Sequence, residues 1–174
     1  MHNTLAQNET ISTQEYVLMN ASELLLNIGL GIVAGIASGF YTGMVMAKYS
    51  SFCQVRLMLF ALCRGFRASG VNGQLEHADF PRYTELADTA SNLLYLGHKK
   101  AGTDALQIFK EVADTRAAIE MRFQRIMLGQ PLPVDNPASI LSLMEVFQRL
   151  SDWQTRSRQL QPSFLTLLSL RPRL

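Results

Sequence analysis

Side chains that could perform chemistry are sparse in this sequence. The densest cluster is Glu76-His77-Ala78-Asp79, where three potential metal ligands fall within four residues. Three ligands so close together, in a stretch followed by Pro81, are weak grounds for a zinc or carboxylate site. We therefore interpret this stretch as a solvated loop that leads into a helix.

The rest of the sequence also lacks the residue patterns that are typical of catalytic sites. The part of the chain after residue 47 contains two histidines, His77 and His98, and no Walker-type loop, H-E-x-x-H, C-x-x-C or G-x-S-x-G pattern. Cys53 and Cys63 have no second Cys or His nearby, so we interpret them as small apolar core residues. The sequence predicts a protein that is not an enzyme and has no cofactor or metal site.

The element that must position everything else is the stretch 24–47, which contains no Asp, Glu, Lys, Arg or His. As a helix it would be roughly 36 Å long, enough to cross a hydrocarbon core of about 30 Å. It predicts one transmembrane helix, preceded by a short polar tail at 1–23. About 125 residues follow it, the size of one ordinary domain.

Within this span, glycine recurs at every fourth position, at Gly31, Gly35, Gly39 and Gly43. Residues four apart share a helix face, and small residues let helix backbones approach in lipid. We expect a glycine zipper that packs against a second copy or another subunit's span. The alternative is that glycine is simply common in spans, and a single pair suffices.

Charge is distributed unevenly about the span. All 16 basic residues follow it, whereas Glu9, Glu15 and Glu23 precede it without any Lys or Arg. Because cytoplasmic flanks are enriched in basic residues, we expect the N-terminus outside and the C-terminus in the cytoplasm, most simply at a bacterial inner membrane. A cleaved signal peptide would need a basic leader and a shorter apolar core.

Four basic residues follow the span closely: Lys48, Arg56, Arg64 and Arg67. In the simpler interpretation they reach anionic lipid headgroups. In the alternative they line the mouth of an oligomeric pore. Nucleic-acid binding is not expected, because acidic and basic residues mix throughout the later helices.

Residues 48–68 are too apolar for an exposed loop and too charged for a second span. Apolar residues recur there every three to four positions, which predicts an amphipathic continuation of the membrane helix. That face comprises Phe52, Val55, Leu59, Leu62, Cys63 and Phe66. The stretch 69–82, with Gly70, Gly73 and Pro81, is predicted to be a loop.

Residues 83–160 are predicted to form a cytoplasmic helical domain. Its first helix is expected to carry Leu86, Ala90, Leu93 and Gly97 on one face, and a break at 97–102 precedes a long helix over 103–128. One face of that helix is the expected packing or partner surface. It consists of Phe109, Val112, Ile119, Phe123 and Ile126. A last helix is expected to start at Asn136 and Pro137 and to bury Ile140, Met144, Phe147 and Leu150. The apolar tail 161–174 needs a cover.

The predicted fold class is therefore all-α: a glycine-zipper membrane helix, an amphipathic continuation and a small cytoplasmic bundle. The expected function is that of a non-enzymatic membrane subunit, an adaptor or assembly component that binds a cytoplasmic protein partner. The alternative is a homo-oligomeric channel lined by the first helix.

Overall fold

A computed structural model describes residues 3–129 and 142–169, with side chains from residue 23 onward. The chain divides into two compact units, Met1–Met46 and Ala47–Leu174. The fold is mostly helical, with one small hairpin. Its elements are α1 (Asn3–Gly65), β1 (Arg67–Val71), β2 (Gln74–Asp79), α2 (Glu85–Tyr95), α3 (Lys99–Met127), α4 (Leu143–Gln159) and α5 (Phe164–Leu168).

The first unit is formed by the beginning of α1. Within the described residues, α1 is the one helix long and apolar enough to cross a membrane, and its most apolar window is unburied. The helix starts at Asn3, so the polar stretch before the span is helical as far as the structure describes it. Extending an existing helix needs no new nucleus, which lets a polar segment without periodicity stay helical.

The second unit begins on α1, which continues to Gly65 as the spacing after the span predicts. The apolar face of this part of the helix is buried. Phe52, Leu59, Leu62, Cys63 and Phe66 belong to the core, with Val55 partly buried against it. Cys53 is half-buried, and both cysteines are free thiols.

A β-hairpin replaces the loop predicted at 69–82, and it is the departure from an all-α fold. Strands β1 and β2 pair antiparallel, with an irregularity between Ser69 and Gly70. Asn72 and Gly73 form the turn, with φ values of 53° and 77°. Two successive positive φ values characterise the type I′ turn, which Asn-Gly adopts readily. A β-carbon on Gly70 would lie 1.8 Å from the Gln74 carbonyl oxygen, so only glycine fits there.

Helices α2 and α3 pack closely against each other. The predicted break between them is confirmed, but α3 starts at Lys99 rather than near Thr103. Gly97, just past α2, has a φ of 88°, which glycine adopts without steric cost. A β-carbon on Gly102 would lie 2.5 Å from Leu94 Cγ, so the missing side chain permits this packing. The expected face of α2 is buried at Leu86, Ala90 and Leu93.

Helix α4 differs from the expected last helix. It begins at Leu143, where the Ser142 hydroxyl accepts the Glu145 N–H and the Glu145 carboxylate accepts the Ser142 N–H. This reciprocal capping box fixes the start. Asn136, Pro137 and Ile140 lie outside the described residues.

The buried face of α4 also differs from the predicted stripe. Met144 and Phe147 are exposed, and the helix instead packs inward through Val146, Leu150, Trp153 and Ser157. Of the predicted apolar tail, residues 164–168 form α5, with Leu167 buried.

Candidate functional site

The glycine face of α1 is open. At Gly31, Gly35, Gly39 and Gly43, an added β-carbon would meet nothing within 4 Å among the described residues. Large apolar side chains around it are exposed as well, among them Ile32, Val33 and Ile36. This part of α1 therefore presents a smooth stripe and a surrounding apolar surface without a covering element in the described chain.

The four basic residues after the span separate into two pairs. Arg64 and Arg67 are exposed. Lys48 Nζ donates hydrogen bonds to the Ser169 carbonyl, to Ser169 Oγ at 3.2 Å and to the Thr166 carbonyl at 3.4 Å. Lys48 is therefore bound to the end of the described chain, a contact that the sequence analysis missed.

Arg56 makes the second contact between α1 and the end of the chain. Its Nη1 donates to the Leu160 carbonyl oxygen at 3.4 Å. Its guanidinium carbon lies 5.8 Å from the centre of the Phe52 ring, within the range of a cation–π interaction. We name residues 160–169, held by Lys48 and Arg56, the C-terminal clasp.

His98 connects the clasp to the α2–α3 junction. The imidazole is buried, with 1% of its surface exposed, and Nδ1 accepts the Ser163 N–H at 3.0 Å. Its ring meets Phe52 edge-on with 4.7 Å between ring centres. Burial lowers the pKa of His98 below its ordinary value of 6.5. The neutral ring thus remains an acceptor for Ser163.

An open groove of about 1040 Å³ lies beside the clasp. Lys99, Lys100 and Asp104 line it from α3, and Leu165 lines it from α5. The clasp closes one side through the Thr166 hydroxyl, which donates to the Gly97 carbonyl at 2.9 Å. Basic and apolar side chains therefore meet in one surface depression.

A polar contact also joins α3 and α4. Glu111 Oε2 accepts from Arg156 Nη1 at 2.7 Å and from Trp153 Nε1 at 3.0 Å. Burial raises the pKa of Glu111, but the hydrogen bonds from Arg156, Gln107 and Trp153 lower it more, so the net shift is downward. Glu111 therefore stays ionised and holds the indole in place.

The predicted interface on α3 is only partly available to a partner. Val112 and Ile119 are buried in this chain's own core, and Phe109 and Phe123 are partly buried against it. Phe109 stacks on Tyr83 with 6.3 Å between ring centres. Ile126 is 52% exposed, so it is the one residue of the five that presents a large surface.

The Glu76-His77-Asp79 cluster lies on β2 rather than in a loop. Successive side chains of a strand point to opposite faces, which separates Glu76 from His77 and Asp79. Over the described residues, no group of three His, Cys, Asp or Glu side chains is placed to hold a metal ion.

Comparison with known proteins adds no relative: no family model, no curated protein and no solved structure matches this chain.

Proposed function

We propose that this protein is a non-enzymatic, single-pass membrane subunit that assembles through α1 and binds a partner through its cytoplasmic helices. The main support is one observation: an apolar, unburied helix segment with an open glycine stripe precedes a domain that has its own core. In lipid, packing between spans depends on small residues because hydrophobic attraction between helices is weak.

The orientation we propose places the N-terminus outside and the folded domain in the cytoplasm of a bacterial cell. Arg64 and Arg67 support this assignment, because they are exposed basic residues within about 20 residues of the span.

A pore lined by the first helix is the less favoured function. That hypothesis needs a ring of basic side chains below the span, but Lys48 and Arg56 are bound to the C-terminal clasp. Donors already engaged with carbonyl oxygens are poorly suited to bind passing anions.

The partner surface that we propose is the exposed apolar end of α3, where Ile126, Met127 and Leu128 are 52%, 87% and 70% exposed. A contiguous exposed apolar patch is typical of an interaction site. Alkaline extraction of membranes tests the span: the protein should remain in the pellet. Recovery in the supernatant would contradict the proposal.

Co-purification in mild detergent tests assembly. The parent chain should recover partner subunits or copies of itself, and Ile126→Asp should lose a cytoplasmic partner. Gln124→Asp, which adds the same charge at an exposed position two residues away, is the matched control. A parent protein that emerges alone and monomeric would contradict the assembly role.

A further inference from the structure

Helix α5 exposes two large apolar side chains that the described part of its domain does not cover. Phe164 is 70% exposed and Leu165 is 81% exposed, whereas Leu167 on the same helix is buried. We propose that α5 rests on the cytoplasmic surface of the bilayer, with Phe164 and Leu165 in the headgroup region. This inference depends on the proposed membrane span.

The proposed position of α5 relative to the bilayer surface follows from its contact with Lys48. Lys48 is the first charged residue after the uncharged stretch 24–47, and a lysine at such a position lies at the membrane–water boundary. Its ammonium group binds the carbonyl oxygens of Thr166 and Ser169. The end of α5 is therefore within hydrogen-bond reach of the residue that marks the boundary.

The direction of the clasp supports the same placement. Arg56 holds Leu160, and it lies eight positions beyond Lys48, about 12 Å further along α1. From Leu160 to Ser169 the chain thus runs back along α1 from Arg56 to Lys48. Phe164 and Leu165 lie on this returning segment.

Charge near α5 fits an anionic lipid surface. The groove that contains Leu165 is also lined by Lys99 and Lys100, with Asp104 as its one acidic residue. Interfacial helices combine Phe or Leu with basic residues, because apolar burial and attraction to anionic headgroups add. The occupant that matches this surface is the bilayer itself rather than a protein.

Fluorescence quenching by brominated lipids tests the inference. Full-length Phe164→Trp is reconstituted into liposomes that contain anionic lipid brominated on the acyl chains near the headgroup. The native Trp153 is 1% exposed, so lipid should quench its emission little. The parent protein measures this native emission, which is subtracted from that of the variant. We expect brominated lipid to remove most of the emission that the new indole adds. Brominated lipid should also quench the emission that Leu165→Trp adds. This second variant shows that the quenching does not depend on one particular substitution.

Phe147→Trp is the matched control on α4. Trp153 lies beside Phe66, with 6.4 Å between ring centres, whereas Leu160 lies beside Arg56. In the proposed placement, the C-terminal end of α4 is the part of this helix nearest the membrane. Phe147, which precedes Trp153 on α4, is therefore further from the lipid. Its added emission should be unaffected by brominated lipid.

Two failures are distinguishable. Liposomes of the purified protein contain no other protein that could cover Phe164. If brominated lipid quenches Phe164→Trp no more than Phe147→Trp, the inference is wrong, whereas the proposed membrane span still stands. Protein that alkaline treatment extracts from the liposomes would overturn the proposed function and this inference together.

Discussion

Replacing His98 should release the C-terminal clasp. The imidazole is buried and its Nδ1 accepts the Ser163 N–H at 3.0 Å. In His98→Leu this N–H loses its acceptor, and leaving a partly buried donor unpaired costs about 1–3 kcal/mol. The docking equilibrium of the clasp should therefore shift by a factor of roughly 5 to 150.

Acid should act on the same bond in the parent chain. Because burial lowers the pKa of His98 below 6.5, the undocked state binds a proton more readily than the docked state. Docking is thus fully stable above the undocked value of 6.5 and is lost as pH falls below it toward the lowered pKa. A protonated Nδ1 cannot accept the hydrogen bond from the Ser163 N–H.

Amide hydrogen exchange of 160–169 in the full-length, detergent-solubilised protein measures this effect. After correction for the intrinsic pH dependence, protection in the parent should be constant above about pH 6.5 and should decrease as pH falls below it. His98→Asn is the control, because its side-chain oxygen can accept at the same place and does not titrate. Equal pH dependence in the parent and His98→Asn, or full protection in His98→Leu, would refute the reasoning.

Three further predictions concern the rest of the chain. Gly70→Ala should destabilise the domain by about 2 kcal/mol, because the added β-carbon would lie 1.8 Å from the Gln74 carbonyl oxygen. Ser69→Ala, the control, should leave the stability unchanged. Thermal unfolding followed by the near-UV signal of Trp153 measures both variants. Glu111→Gln should cost about 1 kcal/mol by removing the ion pair with Arg156. In the parent, the pKa of Glu111 is lowered below 4.5, so the α3–α4 contact should weaken as pH falls below that value; near-UV circular dichroism that stays unchanged well below pH 4.5 would contradict this. A reporter enzyme that is active only outside the cytoplasm should be silent when fused after Leu174, and activity would reverse the orientation.

Periodicity made the helices predictable. The spacing of Phe52, Leu59 and Phe66 identified the buried face of α1, and that of Leu86, Ala90 and Leu93 identified the face of α2. In both cases the signal is local, because one helix face is buried along its length.

The hairpin had a weaker sequence signal, and the stretch 69–82 was wrongly predicted to be a loop. Asn72-Gly73 is a strong turn dipeptide, but its flanks R-A-S-G-V and Q-L-E-H-A-D contain few β-branched or aromatic residues. Leu75 is the one buried residue of the two strands, so the sequence showed no alternation of large apolar and polar side chains. The start of α4 was similar: Ser142 and Glu145 carry a capping-box pattern, but Asn136-Pro137 offered a competing helix start.

The C-terminal clasp could not be predicted from local pattern. Lys48 and Ser169 are 121 residues apart, and His98 and Ser163 are 65 apart. Contacts of this kind depend on tertiary packing and leave no periodic trace in either segment. The sequence showed only that an apolar tail required a cover.

Crosslinking in membranes tests the central claim, assembly through the glycine stripe, most directly. Replacing Gly35 and Gly39 by Leu places two branched side chains on a face that is open in this chain, and lipid supplies no hydrophobic compensation for the lost close packing. The control is Leu30→Phe with Val33→Phe, which adds bulk on another face of the same helix. We predict that the glycine double variant inserts normally but loses the oligomer or partner adducts, whereas the control keeps them. Adducts of parental yield in the Gly35→Leu, Gly39→Leu protein would show that the stripe faces lipid and would contradict the account.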